Sequence, residues 1–323
     1  MRIKNTISWL IVVLLLAVAV FGFTNAQAIY DWLHLRGYEP SARIAGLADD
    51  TTMKDTARRV FYVNHPELDG KQEFNTHCKA QEQTIVLGCF INGDGIYLLD
   101  VTDPRLSGVV EVTAAHEVLH AMYERLGSKE RREVDKMTAD FFRTLDNERI
   151  KKTIENYRAM DPGVVPTELH SILGTEVRNL NPELENHYKK YFNDRSKIVD
   201  YSEDYEQTFI DIGNKAKAYE RQLADLKQTI TSNEAVLDAK NTEINERQQE
   251  LNRLLAEDRI EEYNSQVSPY NNAIDEYNVL VNETKQLINR YNELIKERNE
   301  LVIQQQELYQ AMDSNSINEK AIR

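Results

Sequence analysis

Apolar positions along the chain follow three different patterns. An almost unbroken apolar run extends from Ile7 to Phe23, and a mixed region with short apolar segments follows it. Beyond about residue 202, leucine and isoleucine recur every seven residues, no glycine follows Gly213, and Pro269 is the only proline. A seven-residue repeat of this kind predicts long helices that pair along an apolar seam.

The mixed region begins with segments typical of β-strands. Runs rich in β-branched and aromatic residues predict strands at 58–63, 84–90 and 96–101. The Asn92-Gly93-Asp94-Gly95 segment predicts a hairpin turn before the last of them. We therefore expect a small antiparallel sheet.

Helical periodicity follows the predicted sheet. The first helix is expected from Ser107 to Leu126, where Gly127 is suited to end it. Thr167 is expected to cap a later helix. The remaining helices are expected at 129–145, 147–160 and 168–180, with another opening at Asn181-Pro182. Strands followed by helices predict an α+β fold for this region.

The heptad region contains two apolar series. The first comprises Leu223, Ile230, Leu237, Ile244 and Leu251, and the second comprises Leu280, Leu287, Leu294, Leu301 and Leu308. The segment 264–269 is predicted to separate them, because Pro269 fits best in the first turn of a helix. We therefore predict a long antiparallel coiled-coil hairpin, whose register is specified by the seam residues Asn233, Lys240 and Arg247. The short break favours pairing within one chain, and a coiled-coil partner remains an alternative.

These patterns divide the chain into five segments. They are a signal peptide or N-terminal membrane anchor (1–28), a connector (29–41), an α+β domain (42–200), the coiled-coil hairpin (201–314) and a disordered tail (315–323).

The N-terminal segment has the features of an export signal. Arg2 and Lys4 precede the apolar run, and Ala26-Gln27-Ala28 offers the small residues that signal peptidase prefers. Cleavage and retention as a single membrane anchor both fit, and both predict that the rest of the chain lies outside the cytoplasm. Export makes a disulfide between Cys78 and Cys89 the expected state of the two cysteines, and two buried, packed thiols are the alternative.

Charge limits the classes of partner. The 39 Lys and Arg against 53 Asp and Glu leave a net charge of −14, which argues against binding to nucleic acid or to an acidic membrane surface.

One motif carries catalytic chemistry. His116, Glu117 and His120 form H-E-x-x-H within the helix predicted at 107–126. Two histidines four residues apart lie on one helix face, so their imidazoles can bind one zinc ion, while Glu117 can accept a proton from the water that the metal activates. The flanking positions are apolar, as a buried helix requires.

These residues resemble the zincin metallopeptidases. The metzincin continuation is absent, because Tyr123 and Leu126 replace its glycine and histidine, so the resemblance is to the gluzincin type. It implies a zincin-like catalytic domain at 42–200, a zinc cofactor, and a substrate that pairs with the strand before the active helix, at Ile96–Val101. It also implies a third ligand, a glutamate on a later helix, often followed three residues on by a small residue.

Glu168, followed by Ser171, fits that third ligand best. Glu176 is an alternative ligand or a residue that orients an imidazole, and His170 and Asp140 are further alternatives. The candidate hydrogen-bond donors to the oxyanion that forms during peptide hydrolysis are Tyr157, His170 and His187.

The sequence thus predicts an exported zinc metallopeptidase that hydrolyses a peptide or protein substrate. The alternative is a cell-surface coiled-coil interaction or spacer protein whose zincin-like domain is catalytically silent.

Overall fold

The computed structural model describes residues 14–78 and 85–315. The helices in these ranges are α1 (Leu14–Thr24), α2 (Ala26–Leu35), α3 (Ala42–Asp50), α4 (Asp55–Val63), α5 (Lys71–His77), α6 (Val109–Glu124), α7 (Ser128–Thr144), α8 (Glu148–Met160), α9 (Val165–Glu176), α10 (Pro182–Tyr188), α11 (Ser196–Ala256) and α12 (Ile260–Met312). The strands are β1 (Glu67–Asp69), β2 (Gly88–Ile91) and β3 (Gly95–Leu99).

The described chain divides into two compact units. One unit comprises Met1–Thr208 with Leu308–Arg323, and the other comprises Phe209–Glu307. The first unit contains every strand of the described ranges and the H-E-x-x-H helix, α6. The second contains most of α11 and α12.

The predicted α+β zincin-like fold is wrong. Of the described residues, 78% are helical and 5% are in strands, and the sheet that they form has only three strands, in the order β1-β3-β2. The sheet is also mixed rather than antiparallel, because β1 runs parallel to β3 while β2 runs antiparallel to it. The hairpin turn predicted at 92–95 does connect β2 to β3.

The strand predicted at 58–63 is part of a helix, α4. Its buried residues Val60, Phe61 and Val63 follow the buried Ala57 by three, four and six positions, so the four lie on one broad helix face, which packs into the core. The β-branched and aromatic content of the run reflects burial on that face, so tertiary packing overrides the strand propensity of these residues.

The N-terminal segment is described from Leu14 onward, and the rest of the predicted signal or anchor lies outside the described residues. Within the described chain, no single helix is apolar and long enough to cross a membrane, although α1 and α2, bent by 69° relative to each other, meet that test as a pair. The connector predicted at 29–41 is largely helical. Its Asp31 carboxylate accepts two hydrogen bonds of 2.9 Å from Arg125 at the end of α6.

The second unit is a helical hairpin. Asn233 donates to Thr284 at 3.1 Å and Lys240 donates to Glu276 at 2.6 Å, so residue numbers rise along one helix as they fall along the other, and the helices are antiparallel within one chain. The predicted register residues Asn233 and Lys240 therefore make contacts between the helices. The tail predicted at 315–323 lies outside the described residues apart from Asn315.

The position predicted for the break in the hairpin is wrong. The chain reverses between Ala256 and Ile260, where Asp258 has a left-handed φ of 57°, and Pro269 lies inside α12. Aspartate tolerates this conformation better than most residues. The proline has no backbone N–H, so α12 continues through this position with one backbone hydrogen bond fewer.

The helix α9 packs closely against α6, which carries the H-E-x-x-H residues. A Cβ at Gly174 would lie 2.5 Å from Leu119 Cδ1 on α6 and 2.7 Å from Tyr188 Cε1 on α10. Only glycine therefore allows α9 to approach α6 at this separation.

We expect Gly174→Ala to lower the free energy of unfolding by about 1–3 kcal/mol, because the added methyl group overpacks the contact between α9 and α6. The matched control is Gly213→Ala, at a helical position where nothing lies within 4 Å of an added Cβ. The control should leave stability unchanged or raise it by up to about 1 kcal/mol through helix propensity. Urea unfolding monitored by circular dichroism measures both, and equal effects of the two substitutions would contradict the packing argument.

Candidate metal centre

Two imidazoles and one carboxylate converge on the surface of α6. His116 and His120 lie one turn apart on this helix, and their Nε2 atoms are 3.0 Å from each other. The two oxygens of Glu168, from α9, lie 3.5 Å from His116 Nε2 and 3.5 Å from His120 Nε2. The structure thus brings together the three residues for which the sequence predicts metal binding.

The separations among these atoms fit a tetrahedral zinc ion. Ligands bonded to zinc at 2.0–2.1 Å with tetrahedral angles stand about 3.3 Å apart. The observed separations of 3.0 and 3.5 Å lie on either side of that value. Glu168 Oε2 is buried and takes no hydrogen bond from the described residues, so it has a lone pair available for a cation.

Neighbouring side chains orient the candidate ligands. Thr167 Oγ1 lies 2.7 Å from His120 Nδ1. A proton on Nδ1 donated to this hydroxyl leaves the Nε2 lone pair directed at the centre. The sequence predicts Thr167 as a helix cap, and this prediction is wrong. The helix α9 begins at Val165, so Thr167 lies inside its first turn. Tyr157 lines the same cleft as Glu168, and burial together with the charge of that carboxylate raises the pKa of the Tyr157 hydroxyl.

The charge of Glu168 makes this cluster a favourable place for a positively charged group. Burial lowers the pKa of His116, but attraction to the Glu168 carboxylate, 3.5 Å from its Nε2, outweighs burial and raises the pKa to about 9. Burial and the charge of His116 lower the pKa of His120 to about 3. Burial opposes ionisation of Glu168, yet its interactions with His116 hold its pKa below the usual value. The carboxylate stays ionised and attracts a cation.

Glu117 occupies the adjacent position on α6 and faces β2. It is only 5% exposed, and burial raises its pKa to about 7, against the opposing effects of His116 and a backbone hydrogen bond from Phe90. A Cβ at Gly88 would lie 2.9 Å from Glu117 Oε1, so only a residue without a side chain lets β2 lie over this carboxylate. Sequence reasoning missed Gly88, which the strand pattern presented only as part of an apolar run.

A cleft of about 440 Å³ opens over the cluster. Its walls come from β2, α6, α8 and the start of α9, and its lining includes His116, Glu117, His120, Tyr157 and Glu168. The side chains of His116, His120 and Glu168 remain 18%, 13% and 13% exposed, so a solute in the cleft can reach all three.

The strand next to the cleft is β2, not the strand predicted to pair with a substrate. The segment predicted at 96–101 forms β3, which is the central strand and has partners on both sides. Among the described residues, β2 pairs with β3 alone. Its outer edge therefore adjoins the cleft, and Val86, Gly88, Cys89, Phe90 and Asn92 line it.

The alternative ligands lie elsewhere. The Glu176 carboxylate lies 2.8 Å from the Arg149 guanidinium, which also binds Glu206 at 2.5 Å. Asp140 is on the surface of α7 and pairs with Lys136 and Arg143. Neither carboxylate belongs to the group formed by His116, His120 and Glu168.

His170 is buried behind α6, away from the cleft. Its Nε2 lies 2.9 Å from His187 Nε2, and Tyr188 donates a hydrogen bond of 2.7 Å to its backbone carbonyl. Burial lowers the pKa of His170 well below its usual value, and burial together with Lys190 lowers that of His187 to about 4. Both imidazoles are neutral at neutral pH and belong to the core. Neither lines the cleft, where the sequence places them as oxyanion donors.

The buried imidazoles of His170 and His187 make the free energy of unfolding depend on pH. Because the folded pKa of His187, about 4, is below the ordinary value of 6.5, the unfolded chain binds more protons between pH 6.5 and 4, and stability falls as pH falls through that window. The expected contribution is roughly 3 kcal/mol. His187→Gln should flatten this part of the profile of unfolding free energy against pH. Parallel profiles for the two proteins would contradict the assignment.

No protein-family model matches this chain, and no match was found among curated proteins or solved structures. The assignment of a function therefore rests on the chemistry and geometry of the cleft.

Proposed function

We propose that this protein is a zinc-dependent peptidase whose active site is the cleft over α6. The observation that carries the proposal is the convergence of His116, His120 and Glu168 within 3.5 Å of one another, with Glu117 adjacent to them. Two imidazoles and one carboxylate form one of the donor sets that catalytic zinc sites use, with a further position left for water or substrate.

His116, His120 and Glu168 would hold the metal. A bound zinc ion supplies Lewis acidity, which lowers the pKa of water and polarises a carbonyl group. Thr167 keeps the His120 ring in one orientation, and Tyr157 lines the cleft together with Glu168. The contact with Thr167 keeps this ligand in place while the substrate binds and leaves.

Glu117 is suited to move a proton. Its pKa of about 7 makes the carboxylate a group that both accepts and returns a proton near neutral pH. In peptide hydrolysis it would accept the proton of the attacking water and pass it to the leaving amine.

The outer edge of β2 would hold an extended peptide. Leu99 N donates to Leu87 O at 2.8 Å across the antiparallel pair, so backbone groups of the alternate residues Gly88 and Phe90 point away from β3. A peptide added along this edge forms main-chain hydrogen bonds that do not depend on its sequence. This geometry supports a peptide or protein substrate.

An oxidising location outside the cytoplasm belongs to the proposal. Cys78 and Cys89 are disulfide-bonded, with Cα atoms 5.9 Å apart. Such bonds persist in secreted and periplasmic proteins and are rare in the cytosol. The apolar N-terminal run would direct export and, if retained, anchor the chain to the membrane.

Metal binding distinguishes Glu168 from its alternative. We expect Glu168→Gln and His120→Ala each to remove one equivalent of bound zinc from the purified full-length chain, because each removes a ligand. Glu176→Gln is the matched control and should retain that zinc, since Arg149 holds Glu176 outside the group. Mass-spectrometric metal analysis after dialysis against zinc measures the difference. Loss of zinc from the Glu176→Gln control, or retention of zinc by Glu168→Gln, would show that Glu168 is not the third ligand.

Hydrolysis tests the role of Glu117. We expect Glu117→Gln to keep its zinc and to cleave an unfolded protein such as reduced casein about 10²–10⁴-fold more slowly, because the proton acceptor is lost. Glu124→Gln, on the same helix and also lining the cleft, should cleave at a rate close to that of the unaltered chain. Unchanged cleavage by Glu117→Gln, or no zinc-dependent cleavage by the unaltered protein, argues against the proposal.

A further inference from the structure

A second group of side chains of the kinds that bind metals lies at β1, the edge strand of the sheet opposite β2. Glu67 and Asp69 on β1 and His77 at the end of α5 each place one ligand atom within 4.8 Å of the others. Residues two apart on a strand project to the same face, so the two carboxylates lie side by side. The helix α5 follows β1 after Gly70 and returns His77 to them.

Asp69 is the unusual member of this group. It is 7% exposed, and its Oδ2 atom is buried without a hydrogen bond from any residue that the structure describes. Burial and the charge of Glu67 raise its pKa. Asp31 offers a direct comparison, because it is 6% exposed but receives two hydrogen bonds from Arg125, and these hold its pKa below the usual value despite burial.

An isolated buried carboxylate is costly unless a cation or hydrogen-bond donors satisfy it. Asp31 has an arginine for this purpose. Within this group, the one positively ionisable member is the imidazole of His77. A metal ion bound by all three would supply the missing partner of Asp69.

His77 is held in place by its neighbours. Its ring stacks on Tyr97 of β3, with the centroids 3.8 Å apart and the planes at 10°. The next residue, Cys78, forms the disulfide to Cys89, which is paired in register with Tyr97. Asn75 on α5 donates a hydrogen bond of 2.7 Å to the backbone carbonyl of Ser314. An imidazole fixed in this way needs little further ordering to bind an ion.

We propose that Glu67, Asp69 and His77 bind a second divalent ion, a transition metal of the zinc or manganese class. An imidazole with two carboxylates suits these metals, whereas calcium and magnesium prefer oxygen ligands alone. The ligand atoms lie within 4.8 Å of one another, whereas ligands of one zinc ion stand about 3.3 Å apart. Glu67 is exposed, so its side chain can move the roughly 1–1.5 Å that closure of the site requires, and water can fill the remaining positions. The ion joins β1 to α5 beside the disulfide and has a structural role.

The experiment first removes the centre in the cleft. In the full-length chain carrying His116→Ala and His120→Ala, titration with zinc alone should show one remaining equivalent, against two in the unaltered chain. Adding Asp69→Asn to that background should abolish the remaining binding. Glu73→Gln is the matched control, because Glu73 is an exposed acid on α5 outside the group, and it should leave one equivalent bound.

A second variant and a second measurement guard against misfolding. His77→Gln, at a partly exposed position, should also abolish the remaining binding. Zinc should raise the thermal unfolding midpoint of the His116→Ala, His120→Ala chain, since a ligand of the folded state stabilises it, and should have no such effect after either further substitution. Absence of zinc and manganese binding in the double variant would overturn the proposal, as would binding that survives His77→Gln. Because that background lacks the centre in the cleft, neither result depends on whether the protein is a peptidase.

Discussion

The contact between α6 and α9 is the interaction on which the candidate metal centre depends. Both imidazoles come from α6, but the carboxylate comes from α9, and the distance between the helices determines whether Glu168 reaches the Nε2 atoms. Gly174 permits that distance, because a Cβ there would overlap Leu119. Thr167 joins the same two helices through its contact with His120. A small change in helix packing would therefore separate the ligands without altering any of them.

The sheet completes the site from the other side of the cleft. Gly88 lets β2 lie against Glu117, and the carboxylate acquires its raised pKa because this packing removes it from water. The disulfide connects β2 through Cys89 to the end of α5, where His77 lies. The two proposed ions would thus lie at opposite edges of one small sheet, one next to the edge strand β2 and the other next to the edge strand β1.

Four buried or part-buried carboxylates of the first unit differ in the partners that compensate their charge. Asp31 and Glu176 are each paired with an arginine, which compensates the charge within the protein. Glu168 and Asp69 each retain a buried oxygen without a hydrogen bond from the described residues, and each lies beside histidine. Histidine is neutral when it binds a metal, so such groups leave negative charge for an ion to compensate.

The sequence by itself determined the features that depend on local spacing: the two histidines on one face of a helix, the disulfide partners, the 92–95 turn and the antiparallel pairing of two heptad helices. Regular helix geometry and the seven-residue period act over a few residues, so these features can be read from the chain. Only the tertiary structure decided that 58–63 is helical, that β3 is central, that Pro269 lies inside a helix, and that Glu168 rather than Glu176 reaches the histidines. Each of these depends on partners distant in sequence, such as Arg149 for Glu176, and burial against such partners outweighs the local preference of a segment.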